Sequence, residues 1–422
     1  MFEPSAVTEI CYPKTAKLLS VSQAQQNIRD VINSITDIEV IPIADGLGRI
    51  LAETVLSPID IPPQRNAAMD GYAFSSADIT LNQPFCLKEI GTSWAGRPFM
   101  GSAEKNQCVR IFTGAVVPEF ADSVIAQEQV ERQANDITLP ANTLAGKNIR
   151  AAGSDVKQFE TLINTPKKLT ACDLGLMAAA GVAQIKVKRR LTIGFFSTGD
   201  ELTSVGQPLQ SGQIYDSNRY MLAALLQDPN HFVSDLGVIR DDPELLERTL
   251  ISAANAFDVL ISTGGASVGD ADFVKQILEK CGQINFWKLA IKPGKPLAFG
   301  KINNCWFFGL PGNPVAVLVT HQQFVRPALQ QLSGLQPSKP LQLKAVCKTV
   351  LRKTPGRQEY QRGILNQTSA GELTVIAAGE QDSHQLKTTS LANCFIVLSS
   401  ECNGVAIDEI VTVEPFDTYI SV

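Results

Sequence analysis

Residues 191–201 read LTIGFFSTGDE, and residues 258–273 read DVLISTGGASVGDADF. In both, a short apolar run stops at a polar, glycine-bearing turn, the pattern of a strand that feeds a loop and then a helix. Working outward, the runs Leu191–Phe196, Val233–Ile239, Val259–Ser262, Ile284–Ala290, Leu297–Phe299 and Trp306–Leu310 are predicted strands. Arg219–Gln227, Pro243–Ala256, Ala271–Cys281 and Pro314–Leu332 carry the 3.6-residue spacing of helices. The expectation for residues 191–336 is a doubly wound, mostly parallel α/β domain whose ligand loops lie beyond the carboxyl ends of its strands.

The flanking sequence has other textures. Ser20 or Ser22 can cap a helix with Ala24, Ile28, Val31 and Ile35 on one face, and Thr170 with Asp173 makes a capping-box start before Leu174–Ala180, ended by Gly181. These segments predict a discontinuous, helical and elongated connecting domain, 1–57 with 150–190. Between them, residues 58–149 alternate short apolar runs with Gly, Pro, Asn and Asp, which predicts a β-rich domain. The runs Leu341–Val346, Leu373–Ala377, Cys394–Leu398 and Ile410–Val413 predict a small C-terminal β-barrel or sandwich over 337–422. The basic run Lys186–Arg190 reads as a solvated boundary.

The 422 residues exceed one ordinary core, so clefts between domains are expected. A formal charge of −5 gives no global attraction to nucleic acid or an acidic membrane surface. The first residues lack the pattern of a secretory leader and no run is long and apolar enough to span a bilayer, so a cytoplasmic protein is expected. Nine scattered cysteines form no C-x-x-C pair and there are only three histidines, which argues against a zinc site, a disulfide framework or a histidine-centred triad.

The candidate chemistry sits in the strand-end loops. Ser197, Thr198 and Gly199 lead into Asp200 and Glu201, while Ser262, Gly264, Gly265, Ser267 and Gly269 let backbone amides approach an oxyanion. Lys288, Lys292 and Lys295 form an acid-free cluster in a chain that is acidic overall, and a lysine beside a buried strand calls for a compensating anion. Pro311, Gly312, Asn313 and Pro314 open a helix whose first amides offer another anion site. Glu201, Asp216, Asp241 and Asp272 stand at loop or helix starts, whereas Asp242 before Pro243 reads as a plain helix cap. Lysines and carboxylates in one cleft suit a phosphate–Mg²⁺ complex, because Mg²⁺ takes hard oxygen ligands.

These motifs together resemble the MoeA family of molybdopterin molybdenumtransferases, relatives of the gephyrin E domain. The resemblance covers essentially the whole chain. It rests on Met69–Asp70–Gly71–Tyr72–Ala73, Phe112–Thr113–Gly114–Ala115, Asn148–Ile149–Arg150 with Gly153 and Asp155, Phe196 to Leu202, and Asp216–Ser217–Asn218. The Gly264–Asp272 loop, Lys288 to Pro296, Leu310 to Ala316, Gly356 to Tyr360 and Ala392–Asn393–Cys394 complete it. The resemblance implies insertion of molybdate into adenylylated molybdopterin, with Mg²⁺ and release of AMP, the last step of molybdenum cofactor synthesis. It implies catalytic roles for Asp70, Thr113, Asp155, Glu201 and Asp272, and metal binding by Asp241, Asp272 and Glu201. It also implies a homodimer in which Asp70 and Thr113 of one subunit complete the α/β site of the other, with further cofactor-synthesis proteins and molybdoenzymes as partners. Ala67, Ser154 and Ala266 depart from the family pattern without removing a matched charge. A carrier or scaffold for the cofactor, or the neighbouring molybdopterin adenylyltransferase, are the alternatives.

Overall fold

The computed structural model describes residues 18–80, 82–240, 242–264, 277, 279–337 and 339–416. They divide into two compact units: the described residues up to Asp37 with those from Lys188 onward, and Ile38–Val187.

In the first unit, helix α1 (Val21–Val31) opens on a full capping box. Ser20 accepts the Gln23 amide while Gln23 returns to the Ser20 N–H. The buried stripe is Val21, Ala24, Ile28 and Ile32, with Val31 turned outward at 49% exposure, one residue off the expected face. The reason is local: the helix stops at Val31 and Ile32 takes an extended conformation, so Ile32 folds inward instead. Gln25 Nε2 donates to the Gln323 carbonyl, and α1 joins the core of the α/β sheet rather than the 150–190 segment.

That sheet is built from β1 (Leu191–Thr198), β2 (His231–Ile239), β3 (Val259–Thr263), β4 (Gln283–Lys288), β5 (Pro296–Ile302) and β6 (Cys305–Leu310), in the order β2-β1-β3-β6-β5-β4. The β2–β1, β1–β3 and β3–β6 pairs are parallel. The β6–β5 and β5–β4 pairs are antiparallel, so the sheet is mixed, with β5 alone reversed. This matters for the site. Since β4 regains the common direction, Lys288 at its end and Pro296 opposite it lie at the same edge as the carboxyl ends of β1, β3 and β6. Strands β1 and β3 are also longer than predicted: Ser197, Thr198 and Thr263 are buried strand residues in register, beyond the predicted ends at Phe196 and Ser262.

Helices α2 (Ser217–Leu225), α3 (Pro243–Ala256) and α4 (Pro314–Thr320) follow. Asp216 caps α2 and Asp242 caps α3, whose Pro243 at the first position needs no amide partner. The predicted helix Pro314–Leu332 is interrupted by a π turn at His321–Val325 before resuming at Arg326–Leu332. One face of the sheet packs Leu191, Ile193, Ile261, Phe308 and Leu310 against α1, α2 and α4, and the other packs Phe196, Leu260 and Phe307 against α3. The predicted helix Ala271–Cys281 lies largely outside the described residues.

The C-terminal strands close on themselves. Strands β7 (Leu343–Cys347), β8 (Gln358–Gln367), β9 (Leu373–Ala377), β10 (Cys394–Leu398) and β11 (Ile410–Pro415) run β8-β9-β7-β11-β10, and β10 pairs back onto β8. This is a five-stranded barrel around Ala345, Leu365, Val375, Ile396 and Val413. Its longest strand, β8, is missing from the sequence prediction because its polar residues Glu359, Gln361 and Arg362 are nonetheless buried.

In the second unit, strands 71–74, 85–93, 107–111, 123–126, 131–133 and 136–139 form one six-stranded sheet within the segment read as β-rich. A four-stranded sheet carries Ile50–Leu51 and Gln184–Lys188 beside the helix Ala171–Ala179, which has the predicted Thr170–Asp173 capping box. The basic run is not merely solvated. Lys186 pairs with Glu53 in this unit, and in the other Arg189 forms a bidentate pair with Asp258.

Candidate functional site

The carboxyl edge of the α/β sheet concentrates buried polar groups. Ser197 and Ser262 are at most 1% exposed, and their hydroxyls have no hydrogen-bond partner among the described residues. Ser197 follows a register shift between β1 and β2 at Phe195–Ser197, an irregularity of the kind that re-aims a side chain. Asp216 accepts the Arg219 amide through Oδ1, while its Oδ2 and the Asn218 Oδ1 make no hydrogen bond among the described residues. Asn218 Nδ2 reaches both Thr263 Oγ1 at 3.0 Å and the Gly312 carbonyl at 2.6 Å, and Thr263 donates to the Pro311 carbonyl. Asp216 Oδ2 instead lies 3.5 Å from Arg219 Nε as an ion pair. Leaving a buried hydroxyl or amide oxygen unsatisfied costs about 1–3 kcal/mol, so the Ser197, Ser262 and Asn218 oxygens at one edge are suited to an incoming polar ligand.

Two glycine turns adjoin there. Gly264 has φ +85, and a Cβ on it would lie 2.3 Å from the Thr198 carbonyl oxygen, so no other residue fits. A Cβ on Gly312 would come within 3.9 Å of the Gly264 Cα, which shows how closely the two turns approach. Glu201 is exposed, with its carboxylate beside the Cα of Gly199. Asp241, Gly265, Ser267, Gly269 and Asp272 lie outside the described residues. Among the described residues no three His, Cys, Asp or Glu side chains cluster as metal ligands.

Beside this edge is a cleft of about 380 Å³ lined by Ile291 to Pro296, Pro311 to Asn313, Ala316, Arg357 and Gln381 to Ser383. Three of its side chains are cationic, Lys292, Lys295 and Arg357, against one acid, Asp382. Lys292 does meet a compensating anion, but it is the protein's own: Glu359, 4% exposed, at 3.2 Å. Lys288 is exposed at the end of β4 and needs none. Lys295 and Arg357 form no ion pair among the described residues. Asn313 does not cap α4 with its side chain, and the Val315 amide is taken by the Ser383 carbonyl, so the α4 start offers fewer free amides than its sequence suggests. Pro314 takes the first helical position as read. Arg357, Asn218, Glu359 and the 381–383 loop were absent from the residue-level reading of the site. Arg357, Glu359 and Asn218 do fall within motifs quoted for the family resemblance, which is the signal for them.

In the other unit, Asp70 and Thr113 meet. Strands 71–74 and 107–111 pair with Gly71 opposite Ile111, which brings the residues just beyond them together. Thr113 donates to Asp70 Oδ1 through its amide at 2.8 Å and its hydroxyl at 2.7 Å. The amide bond chiefly, with the hydroxyl second, holds the Asp70 carboxyl below its ordinary range, so it is ionised at neutral pH with Oδ2 still available. Next to Thr113, Phe112 stacks on Trp94 at 4.1 Å. Asp155 is exposed on a separate loop, its amide bonded to the Ile61 carbonyl.

Family models match most of the chain. Residues 19–181 match the MoeA N-terminal region (domain I and II), 194–331 a probable molybdopterin binding domain, and 344–416 the MoeA C-terminal region (domain IV). A molybdopterin molybdenumtransferase of Haemophilus influenzae is 43% identical over 402 residues, 95% of this chain and 99% of that protein. One from a Nostoc species is 34% identical over 92% of this chain and 93% of its own length. A crystal structure of the molybdopterin biosynthesis moeA protein from Pyrococcus horikoshii superposes with a TM-score of 0.82 at 27% identity, covering 95% of this chain and 100% of that one. The chain therefore belongs to the MoeA family of molybdopterin molybdenumtransferases.

Proposed function

We propose that this protein inserts molybdate into adenylylated molybdopterin and releases AMP, the last step of molybdenum cofactor synthesis. The observation that carries the reading is the cationic cleft beside unsatisfied buried oxygens in a chain 43% identical to a molybdopterin molybdenumtransferase. Lys292, Lys295 and Arg357, with the exposed Lys288, neutralise the pyrophosphate and the incoming oxyanion. Ser197, Thr198, Gly199, Asp216, Ser262 and Gly264 accept or donate along the pterin and nucleotide edges, supported by Pro311, Gly312, Asn313 and Pro314. Gly265, Ser267 and Gly269 belong to the same loop as Gly264.

Asp70 and Thr113, with Asp155, are proposed to orient molybdate, and an ionised Asp70 that already holds Thr113 is suited to keep that hydroxyl in one direction. They act from the partner subunit of a homodimer. The donor set Glu201, Asp241 and Asp272 is all carboxylate, which fits Mg²⁺ and not zinc. Mg²⁺ would supply charge neutralisation at the phosphates. The described residues contain no helix long and apolar enough to cross a membrane, which is compatible with work in the cytoplasm.

The test is AMP release by purified protein given adenylylated molybdopterin, molybdate and Mg²⁺. Stoichiometric AMP that depends on molybdate is the expected result. Tight pterin binding with no AMP would overturn the transferase reading in favour of a carrier.

A further inference from the structure

Arg362, in the middle of β8, is 0% exposed, yet no carboxylate among the described residues pairs with it. Burial opposes its charge, the Asp382 carboxylate favours it only at a distance without forming an ion pair, and a buried charge so placed is costly for a fold to hold. Its contacts explain why it is there. Nη2 donates to the carbonyls of Glu380 at 2.6 Å and Asp382 at 3.1 Å, and Nη1 to that of Gln381 at 3.1 Å. Nε donates to Thr388 Oγ1 at 3.3 Å. The backbone of the same residue closes the clasp: its amide donates to Gln381 Oε1 and its carbonyl accepts Gln381 Nε2 and the Ala378 amide.

Every one of these contacts goes to the excursion between β9 and β10. Three consecutive carbonyls of a segment with no regular structure are thus gathered on one guanidinium. That same segment carries Gln381, Asp382 and Ser383, one wall of the 380 Å³ cleft whose other wall holds Lys292, Lys295 and Pro311 to Asn313. The Ser383 carbonyl then accepts the Val315 amide, tying the loop to the start of α4. Among the described residues no hydrogen bond or ion pair joins Arg362 to Lys292, Lys295 or Pro311 to Asn313, so its influence on the cleft passes through the loop.

We propose that Arg362 is a positioning residue for the cleft: by gathering the Glu380, Gln381 and Asp382 carbonyls it sets the 380–383 rim, and through it the affinity for the oxyanion substrate. The proposal rests on the transferase reading only in its choice of substrate. A methionine at this position keeps the apolar length and loses all four side-chain bonds. A lysine keeps the charge but, as a point donor, cannot span three carbonyls in a fork.

Two readouts decide it: amide hydrogen exchange of residues 378–384, and the KM for molybdate in AMP release by the full-length protein. In Arg362→Met the loop should exchange about tenfold faster and KM should rise about tenfold, with kcat changed less than about threefold. Arg362→Lys should fall between this variant and the wild type in both, and serves alone if the methionine variant does not fold. Val405→Ala, which loosens the barrel core away from the loop, should leave KM unchanged. Unchanged loop exchange, or a wild-type KM in a folded variant, or a lysine variant identical to wild type in both readouts, overturns the proposal. If the wild type releases no AMP, the transferase reading fails. Loop exchange together with calorimetric titration of molybdate then still decides the role of Arg362.

Discussion

The two ends of strand β1 carry the same kinds of residues and treat them in opposite ways. At its amino end, Arg189 grips Asp258 through both Nη atoms at 2.7 and 2.8 Å, and Thr192 donates its amide and hydroxyl to the same carboxylate. Arg189 also reaches Asp37, and the Asp258 amide returns to Thr192 Oγ1. Each polar group of this Arg189–Asp258–Thr192 cluster finds a partner there, although the Nε of the adjoining Arg190 has no hydrogen-bond partner among the described residues. At its carboxyl end, Ser197, Ser262 and Asn218 each keep a buried oxygen without a hydrogen-bond partner among the described residues, while Lys295 and Arg357 nearby stand without an ion pair among them. The difference suggests a division of labour along one strand: the clamped end ties the sheet together, and the open end is the one the proposed function needs for a ligand.

The sharpest way to break this comparison is Asp258→Ala, which takes the carboxylate from both Nη atoms of Arg189 and leaves it only Asp37, while Thr192 loses the acceptor of its amide and hydroxyl. It should cost about 3 kcal/mol of stability, read as a lower urea midpoint in the fluorescence of the buried Trp287 and Trp306. AMP release at low temperature should persist, and loss of catalysis in protein that remains folded would mean the clamp end also serves the site. Lys295→Ala should do the reverse, raising the KM for molybdate roughly 10- to 100-fold, about 1.5–3 kcal/mol, with the urea midpoint unmoved. A smaller version of the same contrast is Ser262→Ala. Removing an unpartnered hydroxyl should leave stability equal or higher and weaken adenylylated molybdopterin binding by about 1 kcal/mol, roughly fivefold, in calorimetry. A loss of stability at Ser262 would show that its hydroxyl was satisfied after all.

The smallest effect is in the pH dependence. Burial alone would raise the Asp258 carboxyl, but the bonds from Arg189 and Thr192 outweigh it and hold the carboxyl below its ordinary value in the folded state. Such a group contributes stability that is present above the unfolded value near ~4 and is lost as pH falls through the folded one. Urea midpoints should therefore be level from neutral pH to about 5 and decline below about 4, and Asp258→Asn should remove part of that decline. An unchanged slope in the asparagine variant would show that other carboxylates carry it.

Much of this was legible in the chain itself. The strands of the α/β sheet announce themselves because strands buried on both faces are continuous apolar runs, and the capping residues Ser20, Thr170 and Asp242 act only on the next turn. Strand β8 was not legible. Its Glu359, Gln361 and Arg362 look solvated, and only the barrel's closure shows that each is buried with a partner. The sequence suggests an anion beside Lys292, but only the fold shows that this exposed lysine pairs with the buried Glu359, 67 residues on in sequence. Ser262 falls inside its predicted strand, whereas Ser197 falls one residue beyond the predicted end of β1, because a polar residue closing an apolar run looks like the start of a loop.

By itself the sequence determined the periodicity of the helices and strands, the turns that only glycine can make, and the surplus of cations between Lys288 and Lys295. These depend on neighbours within a few residues. Only the tertiary structure decided that β5 alone runs against the sheet, that a polar strand closes the barrel, and which buried oxygens are left without a partner. Hydrogen-bond satisfaction is a property of groups brought together from distant parts of the chain. It exists nowhere in the sequence until the fold has spent its partners.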